Sequence, residues 1–290
     1  MPLSAREQSD IDAANASGRP TVVFVHGLWL MANSWAAWRT AFEERGYSTV
    51  AADWPGDADT VAEAKAHPES FARRSIPEIV DHHVDVLRAL PRRPAIVGHS
   101  FGGLITQMLA GKGLAVASVA IDGAPYQGIL PVPVSALKVA SVVVANPLNR
   151  HRAVALSAEQ FRYGFANMVS EQESQQLWET YSVPGSGMPL FSSATANVNP
   201  GTPAKVDSKN PARGPMLVIS GEHDHTVPHA ISYAAYKLQR RNDEAVTEFS
   251  EIKGRGHSLT IDSGWRDVAD VALGFLAEHY PAEQPAPGPA

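Results

Sequence analysis

The sequence predicts an α/β domain, a mostly parallel sheet flanked by helices. Three observations point there. Short apolar runs rich in Val, Ile and Ala recur along the chain and end in turns that carry Gly, Asp or His. Segments with helical spacing separate them, the alternation of a strand-helix repeat. One run, Ala95-Ile96-Val97, empties into Gly98-His99-Ser100-Phe101-Gly102, a serine between two glycines, before the helical run Gly103–Ala110.

The elements follow in order. Thr21–Val25 is the first strand, and its unbroken apolar run fits a strand buried on both faces. Helical spacing over 34–45 leads to a strand at 48–52, stopped by the turn Asp53-Trp54-Pro55-Gly56. A helix over 76–89 precedes the strand at 94–98. A strand over 116–121 follows the helix after Ser100 and ends at Asp122-Gly123-Ala124-Pro125. There the alternation stops. Residues 127–210 hold helical periodicity and Pro/Gly-rich links. Within them, Ser157-Ala158-Glu159-Gln160 and Ser170-Glu171-Gln172-Glu173 read as capping boxes that start two helices. The repeat resumes at Met216, with a helix over 229–240, a strand over 247–252 and a helix over 264–279. The expected organisation is a core of 20–126 and 211–280, a helical cap insertion over 127–210, and flexible ends at 1–19 and 281–290.

Bulk properties narrow the function. A chain of 290 residues is long enough for one large domain with an inserted cap. A net charge of -6 with no basic patch argues against nucleic acid. The absence of cysteine excludes a disulfide framework, a thiol nucleophile and a thiolate metal site. No apolar run reaches the roughly 18 residues of a membrane span. The first nineteen residues lack the apolar core of a secretory signal. A cytoplasmic protein is expected, with its oligomeric state unread.

The chemistry starts at Ser100. A serine on a sharp strand-to-helix turn needs nearly side-chain-free neighbours, and that geometry lifts its hydroxyl clear of the backbone. The plainer reading of the same residues is a helix-start turn with Ser100 as N-cap. A nucleophilic serine needs a base, and the base an orienting acid, in the chain order Ser, acid, His. Asp224 follows the strand that starts at Met216, and His257 follows the strand at 247–252. Loops at the C-terminal ends of parallel strands share one edge, so the three residues are expected to converge. Asp122, also just past a strand, is the alternative acid. His26-Gly27 follows the first strand, and the Leu28 and Phe101 N–H groups are the expected oxyanion donors. His26 is read as a support for that loop and His99 as a packing residue under the turn. A metal reading of His223, Asp224 and His225, or of His82 and His83, is weaker. Adjacent helical histidines point apart, and Asp224 already stands where the acid is expected.

These blocks, Val25-His26-Gly27, Gly98–Gly102, Gly221–Pro228 and Gly254–Ser258, resemble the α/β-hydrolase superfamily from about Thr21 to Tyr280. More narrowly, the chain is similar to single-domain bacterial serine esterase-like hydrolases. The resemblance implies an α/β-hydrolase fold with a reduced N-terminal strand set, because only a polar stretch precedes the first strand. No Gly-rich run follows His26-Gly27, which departs from the Gly-Gly-rich lipase and esterase branch.

The expected activity is cleavage of a small apolar carboxylic ester, or of a lactone or thioester, through an acyl group on Ser100. It needs no cofactor and no metal. The alternatives are the same triad used for C–C cleavage, cyanohydrin lysis or perhydrolysis, and a weakly catalytic ligand receptor. Phe161, Phe165 and Met168 lie at helical spacing in the first cap helix and Trp178 in the second. Each taken singly reads as cap packing. As a group, with Trp29, Trp54, Tyr126, Phe191 and Leu259, they are expected to line an apolar pocket.

Overall fold

A computed structural model describes residues 2–282. The chain runs through α1 (Ala5–Ser17), β1 (Thr21–Val25), α2 (Ala36–Glu43), β2 (Ser48–Ala52), α3 (Val61–Ala66), α4 (Ile76–Arg88), β3 (Ala95–His99), α5 (Phe101–Gly111) and β4 (Ser118–Ile121). Next come α6 (Val134–Val144), β5 (Ala153–Val154), α7 (Ala158–Gly164), α8 (Glu171–Tyr181), β6 (Gly185–Ser186) and α9 (Gly187–Ala194). The described chain closes with β7 (Met216–Gly221), α10 (His229–Gln239), β8 (Thr247–Ile252) and α11 (Trp265–His279).

Six strands form one sheet in the order β2-β1-β3-β4-β7-β8, and every neighbouring pair is parallel. The strand alternation expected from the sequence is therefore present, beginning at Thr21. Side chains leave alternate faces of each strand. Val22, Phe24, Val97, Val119 and Ile219 pack with α2 and α11 on one face. Val23, Val25, Ile96 and Val218 pack with α1, α4, α5 and α10 on the other. Both faces are covered, which is why the strands read as continuous apolar runs. Phe24 anchors the first layer, with its ring 5.0 Å from Trp35 and 5.1 Å from Phe42.

The chain builds outward from β1 to β2, then returns to add β3 on the opposite side. In open α/β sheets such a reversal opens a crevice at the strand C-termini. Here the loop after β1 and the turn at Ser100 meet in that crevice. Val25 pairs with Gly98, so the two strands end at nearly the same level.

The segment between β4 and β7 carries four helices and the short antiparallel ribbon β5–β6, in register Ala153↔Ser186 and Val154↔Gly185. The capping box at Ser157 forms with Gln160, and the Ser170 hydroxyl accepts the Glu173 N–H. α7 stops at Gly164, so Met168 lies beyond the helix whose spacing suggested it.

Residues 1–19, expected to be a flexible end, instead hold α1. Ser4 and Glu7 close a capping box at its start, and Gly18 ends it with φ +66°. Ile11 and Ala14 are buried in the core. The decisive contact is polar. Glu7 is fully buried, with Oε1 2.8 Å from His82 Nε2 and accepting the Asp53 N–H at 3.0 Å. Of the tail expected over 281–290, residues 283–290 lie outside the described residues. No helix of the described residues is long and apolar enough to cross a membrane.

Burial alone would raise the Glu7 carboxyl, but the bonds from His82, Ser4 and Asp53 outweigh it and hold it at about 2, below its ordinary 4.5. A depressed carboxyl stabilises the fold above its ordinary value, and that contribution fades as pH falls toward its folded value. Glu7→Gln should therefore flatten the fall in unfolding free energy between about pH 5 and pH 2. It should also cost about 3 kcal/mol at neutral pH, because His82 loses its buried partner. Urea unfolding of both proteins across that range measures both effects.

Candidate active site

Ser100 sits between β3 and α5 at φ 58° and ψ −122°, a conformation side chains rarely adopt. Its backbone is tied on every side. The Ser100 N–H donates to Ile121 O at 2.9 Å, and its carbonyl accepts from Ala124 N–H at 2.9 Å and Leu104 N–H at 3.2 Å. Three glycines make room for it. A Cβ at Gly98 would stand 2.2 Å from Gly102 O, and one at Gly102 would stand 2.0 Å from Val25 O. A Cβ at Gly27 would stand 2.7 Å from Ser100 Cβ and 3.3 Å from its Oγ. The loop after β1 thus runs directly against the serine. Neither the Leu28 nor the Phe101 N–H donates to an acceptor among the described residues.

His257 and Asp224 form a buried pair, with Nδ1 2.5 Å from Oδ2 and both side chains 0% exposed. Asp224 is oriented through its other oxygen, which accepts the N–H groups of Thr226 and Val227 at 2.6 and 2.8 Å. The opposite ring nitrogen, His257 Nε2, is buried and without a partner. The ring is packed between His99, 4.5 Å away, and Phe165, 4.6 Å away and edge-on. Residues of the inserted segment hold the loops that carry the pair. Phe165 O accepts the Ser258 N–H at 2.8 Å, and Asn167 Nδ2 donates to His223 O at 2.9 Å.

Asp122, the alternative acid, comes to the same place. It is fully buried, and its Oδ1 accepts the Gly221 N–H at 2.9 Å. Burial and then the adjacent Asp224 carboxylate push it well above the usual carboxylate range. Burial, then His257, holds His99 well below the usual imidazole range and keeps it neutral. His99, Asp122 and His257 bring ligand-type atoms within 4.8 Å of one another. Yet His257 already spends Nδ1 on Asp224 and Asp122 Oδ1 accepts the Gly221 N–H, a donor set arranged for hydrogen bonding. His225 Nδ1 donates to Tyr163 O at 2.9 Å, and His83 Nδ1 donates to Ile79 O at 2.7 Å.

A cavity of about 160 Å³ opens beside Ser100. Trp29 and Tyr126 line it, as do Ser100 and Phe101. The other residues expected to line the pocket do not. Trp54 stacks on His26 at 5.2 Å, behind the loop after β1. Phe161 stacks on Phe165 at 5.0 Å, and both are fully buried against the His257 loop. Met168 is 42% exposed because α7 ends before it. The Trp178 indole donates to Leu156 O at 2.9 Å and packs α8 onto its neighbours. Leu259 belongs to the core layer on the α2 and α11 face of the sheet. Phe191 packs at the edge of the main core.

The cavity is instead walled by Ile129, Pro131, Val132, Val139, Leu190 and Ile231, from the loop after β4 and from α6, α9 and α10. Its polar groups are mostly spent. Ser193 Oγ donates to Pro125 O, Thr226 Oγ1 to Gly164 O and Asn197 Nδ2 to Ile129 O. The one signal that could have found this wall is the run Val134–Val144, too apolar for an ordinary surface helix. At the rim, Val132 and Leu137 are exposed.

The sequence pattern of the alpha/beta hydrolase family matches residues 22–271. No curated protein matches the chain. Among solved structures, a Paleococcus ferrophilus monoacylglycerol lipase is 19% identical with TM-score 0.60, covering 90% of this chain and 96% of its own. Polyneuridine aldehyde esterase is 16% identical with TM-score 0.62, covering 89% and 99%. An extracellular alpha/beta-hydrolase from a Paenibacillus species is 19% identical with TM-score 0.61, covering 88% and 98%. At these identities the likeness is one of fold. With its family pattern spanning most of its length, the chain belongs to the alpha/beta hydrolase family.

Proposed function

We propose that the protein is a serine hydrolase that cleaves carboxylic esters by acyl transfer. The observation that carries this reading is the buried His257–Asp224 pair, whose imidazole lies 4.5 Å from the ring of His99, the residue before a serine held in a strained strand-to-helix turn. In the proposed cycle, Ser100 Oγ attacks the ester carbonyl and His257 Nε2 takes its proton. Asp224 fixes the ring and stabilises its charged form. The oxyanion of the tetrahedral intermediate accepts from the Leu28 and Phe101 N–H groups, backbone donors that reorganise little. Collapse breaks the bond to the alkoxy oxygen, and the alcohol leaves with the proton from His257. Water, deprotonated by His257, attacks the acyl group, and Ser100 recovers the proton as the acid departs.

The substrate class follows from the cavity. Its walls are apolar and its Ser193, Asn197 and Thr226 side chains are bonded within the protein, so it suits an uncharged apolar acyl or alcohol group. A dry cavity of roughly this size accommodates benzene, which points to a substituent of about four to six carbons. In this reading residues 127–210 act as a cap that supplies Ile129, Val139 and Leu190. Two of the similar structures are named as a lipase and an esterase, which supports an ester as substrate.

Ser100→Ala should leave the fold intact and abolish both fluorophosphonate labelling and hydrolysis of p-nitrophenyl butyrate. Activity near the wild-type level would end the acyl-enzyme reading. Asp224→Asn should lower kcat by up to about 10⁴ through the wrong tautomer of His257. Asp122→Asn should cost less than about tenfold by the same assay, because Asp122 makes no bond to His257 and its surroundings already favour the neutral form.

Filling the cavity should alter selectivity. Leu190→Trp is expected to lower the ratio of hexanoate to acetate ester turnover by about tenfold or more, with acetate turnover little changed. An unchanged profile over esters of graded chain length would place the acyl group elsewhere.

A further inference from the structure

The geometry of the Leu28 N–H depends on how the Gly27–Leu28 peptide is held. His26 Nδ1 donates to Gly27 O at 2.9 Å, which fixes one end of that peptide. The other ring nitrogen, Nε2, lies 2.9 Å from Asp57 Oδ2, and both side chains are 1% exposed. Asp57 also pairs with Arg74 and accepts the Trp54 N–H at 3.0 Å. Arg74 in turn meets the inserted segment. Its N–H donates to Ser186 Oγ at 3.1 Å, and that hydroxyl donates back to Arg74 O at 3.1 Å.

The ribbon that carries Ser186 grips the same loop from the other side. The Val183 N–H donates to Trp29 O at 3.0 Å, and the Trp29 indole donates to Val154 O at 2.9 Å. Trp29 is held at φ 66°, in the left-handed region that favours glycine. At Gly185 a Cβ would stand 2.8 Å from Leu28 Cγ, so the ribbon backbone lies directly on Leu28.

We propose that Asp57 is a positioning residue for the oxyanion site. Through His26 it sets the Gly27–Leu28 peptide, and through Arg74 and Ser186 it locks that peptide to the inserted β5–β6 ribbon. The inference rests on the reading of Ser100 as nucleophile and of the Leu28 N–H as an oxyanion donor. A buried ion pair adds little stability over apolar packing of the same volume, because desolvation offsets the attraction. What Asp57 does supply is direction, since its two oxygens face the His26 ring and the Arg74 guanidinium, and both residues hold fixed backbone groups. Burial opposes its charge, and the neighbouring His26 and Arg74 reverse that and hold the carboxyl below its usual range.

The test uses the full chain and three readouts. These are kcat and KM for p-nitrophenyl butyrate, the affinity of butylboronic acid as a tetrahedral adduct of the serine, and hydrogen–deuterium exchange over residues 26–31. Asp57→Ala should lower kcat by about 30-fold, less than the outright loss of an oxyanion donor, with KM within about twofold. Boronate affinity should fall in parallel, and exchange at Leu28 and Trp29 should quicken. Asp57→Asn keeps an oxygen for His26 and should recover most of the loss.

Ser186→Ala leaves Asp57 and Arg74 intact and carries the test should Asp57→Ala fail to fold. It should slow kcat about threefold and quicken the same exchange. Folded variants with wild-type kcat, boronate affinity and exchange would overturn the proposal. So would a loss of thermal stability with kcat per labelled serine unchanged. If the wild-type protein neither turns over esters nor is labelled at Ser100, the acyl-transfer reading fails. Exchange at Leu28 then still decides whether Asp57 holds the loop.

Discussion

Everything at this site depends on three backbones meeting without side chains between them. β3 turns into α5 at Ser100, the loop after β1 crosses in front of it, and Gly27, Gly98 and Gly102 stand at the points of contact. A non-glycine residue in so strained a conformation costs on the order of 1–3 kcal/mol. Three backbone hydrogen bonds at Ser100 offset that cost locally, and the sheet supplies the rest. The bond from the Ser100 N–H to Ile121 ties the turn to β4, so the strain is shared with a strand buried on both faces. Because Val25 and Gly98 are register partners, the loop after β1 leaves the sheet at the height of the serine. The juxtaposition of the proposed nucleophile and the Gly27–Leu28 peptide is thus a property of sheet register and backbone contact.

The second constraint is electrostatic. Two carboxylates and two imidazoles share one buried layer under the turn: Asp122, Asp224, His99 and His257. Adjacent carboxylates out of water oppose each other's ionisation, and burial with the neighbouring Asp224 raises the Asp122 carboxyl. The Asp224 carboxylate faces His257 through Oδ2. Neutral His99 completes the arrangement, since a charged ring at 4.5 Å would oppose any positive charge on His257. Asp122 stands one strand away from Asp224, in the same kind of loop. What separates the two is partnership: Asp224 receives two backbone N–H groups and the His257 ring, Asp122 a single N–H.

Much of this was legible in the sequence because burial on both faces leaves a strong trace. Strands such as Thr21–Val25 and Ala95–His99 are apolar throughout and end in the turn residues that carry chemistry. Ser100 and Asp224 could be selected because each follows such a strand, and His257 because it follows the alternating strand Thr247–Ile252. Two features left no comparable trace. The α1 helix has only Ile11 and small alanines to bury, and its strongest anchor is Glu7, a residue that reads as exposed until His82 is found opposite it. The cavity wall is assembled from α6, α9, α10 and the loop after β4, whose relative placement is tertiary. Aromatic residues at helical spacing pointed to Phe161, Phe165 and Trp178, but large rings packed best into the joints of the inserted segment, leaving Val, Ile and Leu to face the open space.

The inserted segment therefore does more than wall a pocket. Through Phe165 and Asn167 it fixes the loops that carry His257 and Asp224, and through Val183 and Gly185 it presses on Leu28 and Trp29. Through α6 and α9 it bounds the cavity. These contacts come from separate stretches of one segment, joined by the β5–β6 ribbon and the packing of α7 on α8. A displacement of the segment large enough to reshape the cavity would be felt at the Phe165–Ser258 bond and at the Val183–Trp29 bond together. In the proposed reaction, selectivity and rate would be coupled as a result. A ligand that seats the segment well also seats the proposed base and the proposed oxyanion donor, and one that seats it poorly loosens both. Binding energy from a remote acyl chain can in this way be expressed at the reacting carbonyl, the route by which a well-matched substrate raises kcat as well as affinity.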